Sequence, residues 1–162
     1  MNMINKLQIH LFIIFIMSYL LACQSTQISY LNNKHKSNAP LTNTYWKLLK
    51  VNTIKIKITE DKREAYIQLK HDGNFKGYAR CNIFNGQYTV KSNYNAQYHD
   101  LQNELYFNNV STAKLRCIEG MKQENTILAM MDQIHHYKIS GDNLLFYNKE
   151  NKNIAHLIAV YF

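Results

Sequence analysis

From Thr44 onward the chain alternates between apolar and polar positions with a period of two. The clearest run is Ile54-Lys55-Ile56-Lys57-Ile58, with three isoleucines on one side and two lysines on the other. Such alternation predicts a half-buried strand with one wet face. Residues 65–70 (AYIQLK) read as a second strand, and Asp72-Gly73 supplies the turn chemistry of a tight hairpin back into NFKGYAR. Asn85-Gly86 predicts another turn, followed by a short strand over 86–90, and ELYFNNV (104–110) is a further candidate. Between 119 and 137 the period changes. Met121, Leu128, Met131 and His135, with Ile127 and Ile134 beside them, recur at helical spacing and predict one amphipathic helix. Its methionines suit either an adaptable binding groove or packing against a sheet. HYKIS, a turn at Gly141-Asp142-Asn143, NLLFYN, a polar turn and IAHLIAVYF close the chain as antiparallel strands. The expected fold class is α+β: a small curved antiparallel sheet or cracked barrel with one amphipathic helix.

The pattern before Thr44 is different. Leu11 to Leu21 is apolar apart from Ser18, is preceded by Lys6, and ends in Leu20-Leu21-Ala22-Cys23. The run is short for a membrane span, which needs about 20 apolar residues, and fits the core of a secretory signal. Leu-x-Ala-Cys resembles the bacterial lipobox. The resemblance implies a signal peptide over 1–22, cleavage before Cys23 and lipidation of that cysteine. Gln24 follows, and the sorting rule of such lipoproteins then implies the outer membrane, facing the periplasm. Residues 23–41, ending just after Pro40, are polar and aperiodic and read as the lipidated cysteine and a flexible tether of roughly 20–25 Å. One domain is expected over 42–162. An uncleaved anchor or an ordinary signal with a chance cysteine are the alternatives.

Charge adds less. The full chain carries +8, and the cleaved chain would keep +7 because only Lys6 is lost. Outside the cytoplasm that balance does not indicate nucleic acid. Anionic headgroups, lipopolysaccharide or wall polymers are the available counter-ions, and plain solubility is the bland account.

Two cysteines remain, Cys81 and Cys117. An even pair in an exported domain is most simply a disulfide. Closing so long a loop is worth about 4 kcal/mol in the chain-entropy picture. Two other roles are weighed. A nucleophile would want a histidine and a positive setting, and His71 and Arg80 lie near in sequence, but no nucleophile signature surrounds Cys81. A zinc site wants paired ligand spacings, whereas these cysteines stand singly, and His135 and His136 are adjacent and would diverge on a helix.

GYARCNIFNGQY (77–88) resembles the G-x-x-G-C-N-x-F-x-G-x-Y signature of META domains, the group that includes the heat-shock protein HslJ. Gly77, Cys81, Asn82, Phe84, Gly86 and Tyr88 match it. Trp46 in TYWKLL matches the opening Trp-x-Leu, STAKLRC resembles the Thr-x-Met-Ala-Cys stretch, and MKQENTILAMM resembles the helix start with its glutamate. The resemblance covers 42–162 and implies structural roles for these positions. Gly86 is expected to adopt a positive-φ turn, Asn82 to bond backbone beside the bridge, and the Trp46 indole to donate to a carbonyl from within the core. Arg80 stands where the family usually has Gly, and Arg116 precedes the second cysteine. The two arginines form a candidate anion contact, the alternative being side chains that diverge into water.

The resemblance implies a non-enzymatic, lipid-anchored envelope protein with a role in stress response or envelope integrity. Its partner is expected to be an envelope protein or a lipid acyl chain received at a barrel mouth, by analogy with pilotin-like barrels. No cofactor, metal or nucleic acid is expected. The alternative is a periplasmic inhibitor of a cell-wall hydrolase such as lysozyme, although two basic proteins would repel on approach. No paired carboxylates, Ser-His-Asp arrangement or phosphate loop is present to suggest an enzyme.

Overall fold

Trp46 and Leu48 point to the same side of the first strand and are buried. Val51, three positions after Leu48, is buried too, because a bulge between Leu48 and Lys50 changes the phase of the alternation. The computed structural model describes residues 38–58, 63–95, 100–115, 117 and 120–162. Its elements are β1 (Tyr45–Val51), β2 (Ile54–Lys55), β3 (Tyr66–Leu69), β4 (Asn74–Tyr78), β5 (Ile83–Asn95), β6 (Asp100–Thr112), α1 (Met121–Met131), β7 (His136–Ser140), β8 (Asn143–Tyr147) and β9 (Asn153–Val160).

Every strand pair is antiparallel. β1 meets β3, the strands follow in sequence order to β9, and β9 pairs back onto β1 from Tyr45↔Val160 to Val51↔Ala155. Eight strands therefore close into a barrel, with β2 as a short appendage on the end of β1. The molecule is mostly β, and the alternative of an open curved sheet falls away: closure removes the edges that an open sheet would have to protect. The chain packs before Thr42. Ala39 is buried, its N–H donates to the Gly141 carbonyl (2.9 Å), and the Asn38 side chain accepts from the Gly141 N–H (2.8 Å). Residues 1–37, including Cys23 and most of the expected tether, lie outside the described residues.

Inward side chains fill the ring. Trp46, Phe75, Phe84, Phe146, Ile67, Leu69, Leu105, Leu144 and Ile154 are essentially without solvent contact. Phe75 meets Phe84 at 6.1 Å and Phe107 edge-on at 4.8 Å. α1 lies between β6 and β7 and adds Ile127, Met130 and Met131 to the same core. The two methionines are 1% exposed, so the Met stripe is packing and not a groove.

Three sequence expectations change. The helix ends at Met131 and not at 137. His135 follows it, and His136 opens β7, where it stands opposite Glu104 and Tyr147. The run 54–58 is not a half-buried strand: only Ile54 and Lys55 pair, and Ile54 and Ile58 are exposed while Ile56 alone packs on the core. Asn85-Gly86 is not a turn, since β5 passes straight through it.

β5 and β6 are thirteen residues each, pairing from Phe84↔Thr112 out to Asn95↔Asp100. β4 reaches only to Gln87 of β5, and β7 reaches only Asn103 and Glu104 of β6. Thr89 to Ser92 are exposed on both faces. The outer half of this hairpin is thus a two-stranded ribbon that extends past the barrel wall.

Candidate functional site

The turn between β4 and β5 holds the motif residues. Ala79 N–H donates to the Asn82 carbonyl (3.1 Å), and Arg80 takes φ 112°, a conformation that suits glycine far better than a branched side chain. This explains why a glycine would be at home there. The Tyr78 hydroxyl donates to the Arg80 carbonyl and steadies the turn. Cys81 is joined to Cys117 in a disulfide, with Cα atoms 5.9 Å apart.

Asn82 is the hub of this corner. It is 2% exposed and spends every polar atom of its side chain. Nδ2 donates to the Glu124 carboxylate (2.9 Å) and to the Leu115 carbonyl (3.0 Å), while Oδ1 accepts from the Leu115 N–H (3.1 Å). The backbone N–H of Asn82 donates to the other carboxylate oxygen of Glu124 (2.8 Å). Glu124, also 2% exposed, lies in the first turn of α1. One side chain thereby ties three segments together: the start of β5, the segment after β6 at Leu115, and the helix. Asn82 makes the backbone bonds expected of it, and Glu124 is a partner that no expectation named. A signal was available, because Glu124 shares the helix face of Ile127 and Met131, the face that is buried.

The other motif positions are structural. The Trp46 indole N–H donates to the Leu41 carbonyl (2.9 Å). A Cβ at Gly77 would enter the Phe84 ring and stand 2.5 Å from the Tyr66 carbonyl oxygen. Gly86 does not take a positive φ; the described glycines that do are Gly73, Gly120 and Gly141. Two β6 residues, Asn109 and Val110, face Gly86 alone across a bulge. A Cβ there would lie 2.7 Å from the Asn108 carbonyl oxygen and 2.8 Å from the Phe75 ring. Close approach, and not turn geometry, demands this glycine. The Tyr88 hydroxyl donates to the Lys70 carbonyl (2.6 Å), clasping the hairpin turn in which Asp72 Oδ1 accepts from the Asn74 N–H (3.0 Å).

Arg80 leads to the surface. Its aliphatic stem covers Gly120, where a Cβ would come within 2.9 Å of Arg80 Cγ and Cδ. Beside it opens a cleft of about 410 Å³ whose lining includes Ile54, Lys55, Lys57, Arg80 and Lys122. Arg116, the expected second half of the anion contact, lies outside the described residues. Among the described residues three lysines line the cleft with Arg80.

A second polar cluster lies on the opposite side of α1 in sequence. The Tyr106 hydroxyl donates to Glu104 (2.9 Å) and stands 3.3 Å from His135 Nε2. His136 stacks on Tyr147 with ring centres 4.9 Å apart. Burial holds the His136 pKa below its ordinary value, and neighbouring His135 pushes the same way, while Glu104 opposes them. Among the described residues no three His, Cys, Asp or Glu side chains are grouped to hold a metal.

The sequence model of the META domain family matches residues 39–160. An NMR structure of a protein from Burkholderia xenovorans superposes with TM-score 0.57 at 14% identity, covering 81% of this chain and 98% of that one. A second NMR structure superposes with TM-score 0.50 at 19% identity, covering 71% of this chain and 88% of the other. At these identities the likeness is one of fold. No curated protein matches the chain at significant similarity. The matched span takes in the whole barrel, the Asn82–Glu124 hub and the bridge, and the chain belongs to the META domain family.

Proposed function

We propose that this protein is a non-enzymatic, lipid-anchored envelope protein that works by binding a partner protein through the β5–β6 ribbon, in support of envelope integrity or the stress response. The observation that carries the reading is the ribbon itself. From Thr89 outward β5 pairs with β6 alone among the described residues, leaving a run of backbone N–H and C=O groups along its outer edge. A two-stranded ribbon is marginal alone, and an open edge is the template for strand addition by an extended partner segment. The filled interior moves the reading away from an acyl chain held inside the barrel. The lipobox-like Leu20 to Cys23 supports the anchor, and Gln24 after it supports the outer-membrane address.

The same ribbon favours a second reading, a plug inserted into the cleft of a cell-wall hydrolase. One experiment separates them. The full chain is purified from its native envelope beside a variant in which residues 93–102 are replaced by a two-residue Asn-Gly turn. A stoichiometric envelope protein recovered with the full chain and lost with the variant supports the first reading. Dose-dependent inhibition of lysozyme by the full chain, absent in the variant, supports the second. Equal recovery with both chains sinks the assignment to the ribbon.

A further inference from the structure

We propose that the basic cleft beside Arg80 docks the domain onto an anionic phospholipid surface, with Lys55, Lys57 and Lys122 at the phosphates and Ile54 and Ile58 entering the headgroup layer. The inference goes beyond the partner reading and uses a different face of the chain.

The cleft is built from three separate pieces of chain: residues 54–58, the β4–β5 turn and the first turns of α1. They are held together. The Gln123 side chain pairs with both backbone groups of Lys57, accepting from its N–H (2.9 Å) and donating to its carbonyl (3.3 Å). Gln123 thus acts as a substitute peptide that fastens residues 54–58 against the helix. The three lysines are therefore placed in advance of binding and lose less freedom on contact than three unrelated surface side chains. No carboxylate lines the cleft among the described residues. Among the described residues no ion pair holds Lys55, Lys57 or Lys122, whereas Lys47 pairs with Glu64.

The apolar members decide the occupant. Ile54 is 47% exposed and Ile58 is 53% exposed, although their alternation with lysine would ordinarily send them inward. Ile54 lines the cleft itself. Soluble phosphate would engage the cations and leave both isoleucines in water. A bilayer surface of negative potential uses both sets: it attracts the cations with about 1 kcal/mol for each Lys or Arg near the surface, and it removes the apolar side chains from water.

The test uses the full chain with two kinds of vesicle: phosphatidylcholine alone, and phosphatidylcholine with a quarter phosphatidylglycerol. Any N-terminal anchor holds the chain equally on both, so the difference reports this face. The readouts are backbone hydrogen exchange over 54–58 and 120–126, and trypsin cleavage after Lys55, Lys57 and Lys122. Protection is expected on the anionic vesicles only, and it should disappear at about 0.5 M salt, where screening is short-ranged. Lys55→Gln with Lys57→Gln should cut the docked-to-undocked ratio about fivefold for each cation, about 25-fold together. Ile54→Ser with Ile58→Ser changes two exposed side chains, leaves the core intact, and should also weaken protection. Equal protection on both vesicles, or none on either, overturns the proposal. Protection by inorganic phosphate without protection by vesicles overturns the membrane assignment. The lysine variants leave the β5–β6 ribbon intact, so failure here and failure of partner capture are separately visible.

Discussion

Replacing Asn82 with alanine removes the side chain that joins the β5 start, the Leu115 segment after β6 and α1. The cost follows from the bonds it makes. The Nδ2 bond to the Glu124 carboxylate is charge-assisted and contributes about 1.5–3 kcal/mol, and the two bonds with the Leu115 backbone contribute about 1 kcal/mol each. The sum is about 4 kcal/mol, a large part of the roughly 5–15 kcal/mol that holds a domain of this size together. Glu124→Ala removes the shared bond and the Asn82 N–H bond, and costs about 3 kcal/mol. The two losses overlap, because both variants remove the same Asn82–Glu124 bond and each leaves the remaining partner buried with that bond unmade. The double variant should therefore cost about 2 kcal/mol less than the sum of the singles. Urea denaturation of the four proteins with the disulfide intact, followed by fluorescence of Trp46, measures all three numbers. Additivity within about 0.5 kcal/mol would refute the hub, as would an Asn82→Ala cost below about 1 kcal/mol.

Four further outcomes are expected. Reducing the Cys81–Cys117 bridge, or replacing both cysteines with serine, should lower stability by about 4 kcal/mol, read as the shift in urea midpoint; an unchanged midpoint would contradict the loop-closure argument. Gly77→Ala should cost about 3 kcal/mol or more, because the new methyl group meets the Phe84 ring and the Tyr66 backbone and neither has room to move; a near-neutral result by thermal melting would show that the strand shifts freely. The His136 pKa is lowered in the fold, so the unfolded chain takes up its proton first, and stability should fall as pH drops below about 6.5. His136→Phe should flatten that acid slope in urea titrations between pH 7 and 5, and an unaltered slope would assign it to other groups. Tyr45 stacks on Tyr66 at 4.3 Å, and burial with the nearby Glu64 pushes its pKa to about 12. Ultraviolet titration of the phenols against Tyr45→Phe should show one tyrosine ionising near that value, with the matching stability lost as pH rises from 10 through 12; an ordinary titration near 10 would place Tyr45 in water.

Several features needed no coordinates because they are set by residues close together in sequence. The Asp72-Gly73 hairpin forms where turn chemistry predicts, with Gly73 at φ 79° and Asp72 accepting from the Asn74 N–H. Trp46 is core, with its N–H on a carbonyl, because so large an apolar side chain must be buried and its one donor must be paired. Pairing of Cys81 with Cys117, 36 positions apart, is different: the even count of remaining cysteines suggested it, and the fold brings their α-carbons to 5.9 Å.

The misplaced features share a different cause. Lys-Ile alternation at 54–58 has strand spacing, yet a strand needs a neighbour, and β3 has already taken the edge of β1 at Trp46 and Lys47. The segment therefore crosses to α1 and leaves two isoleucines outside. Helical spacing continues past Met131 in the sequence, yet the ladder bonds that His136 finds with β6 and β8 outweigh one more helical turn. Gly86 looks like a turn residue, and only the approach of β6 and Phe75 shows why it must lack a side chain.

Local chemistry in this chain determined most of the strands, the hairpin turn and the family signature. Closure of the ring, the burial of Glu124 on Asn82 and the gathering of three lysines beside Arg80 were decided by tertiary structure, because each joins residues dozens of positions apart, and only the folded path of the backbone sets those distances.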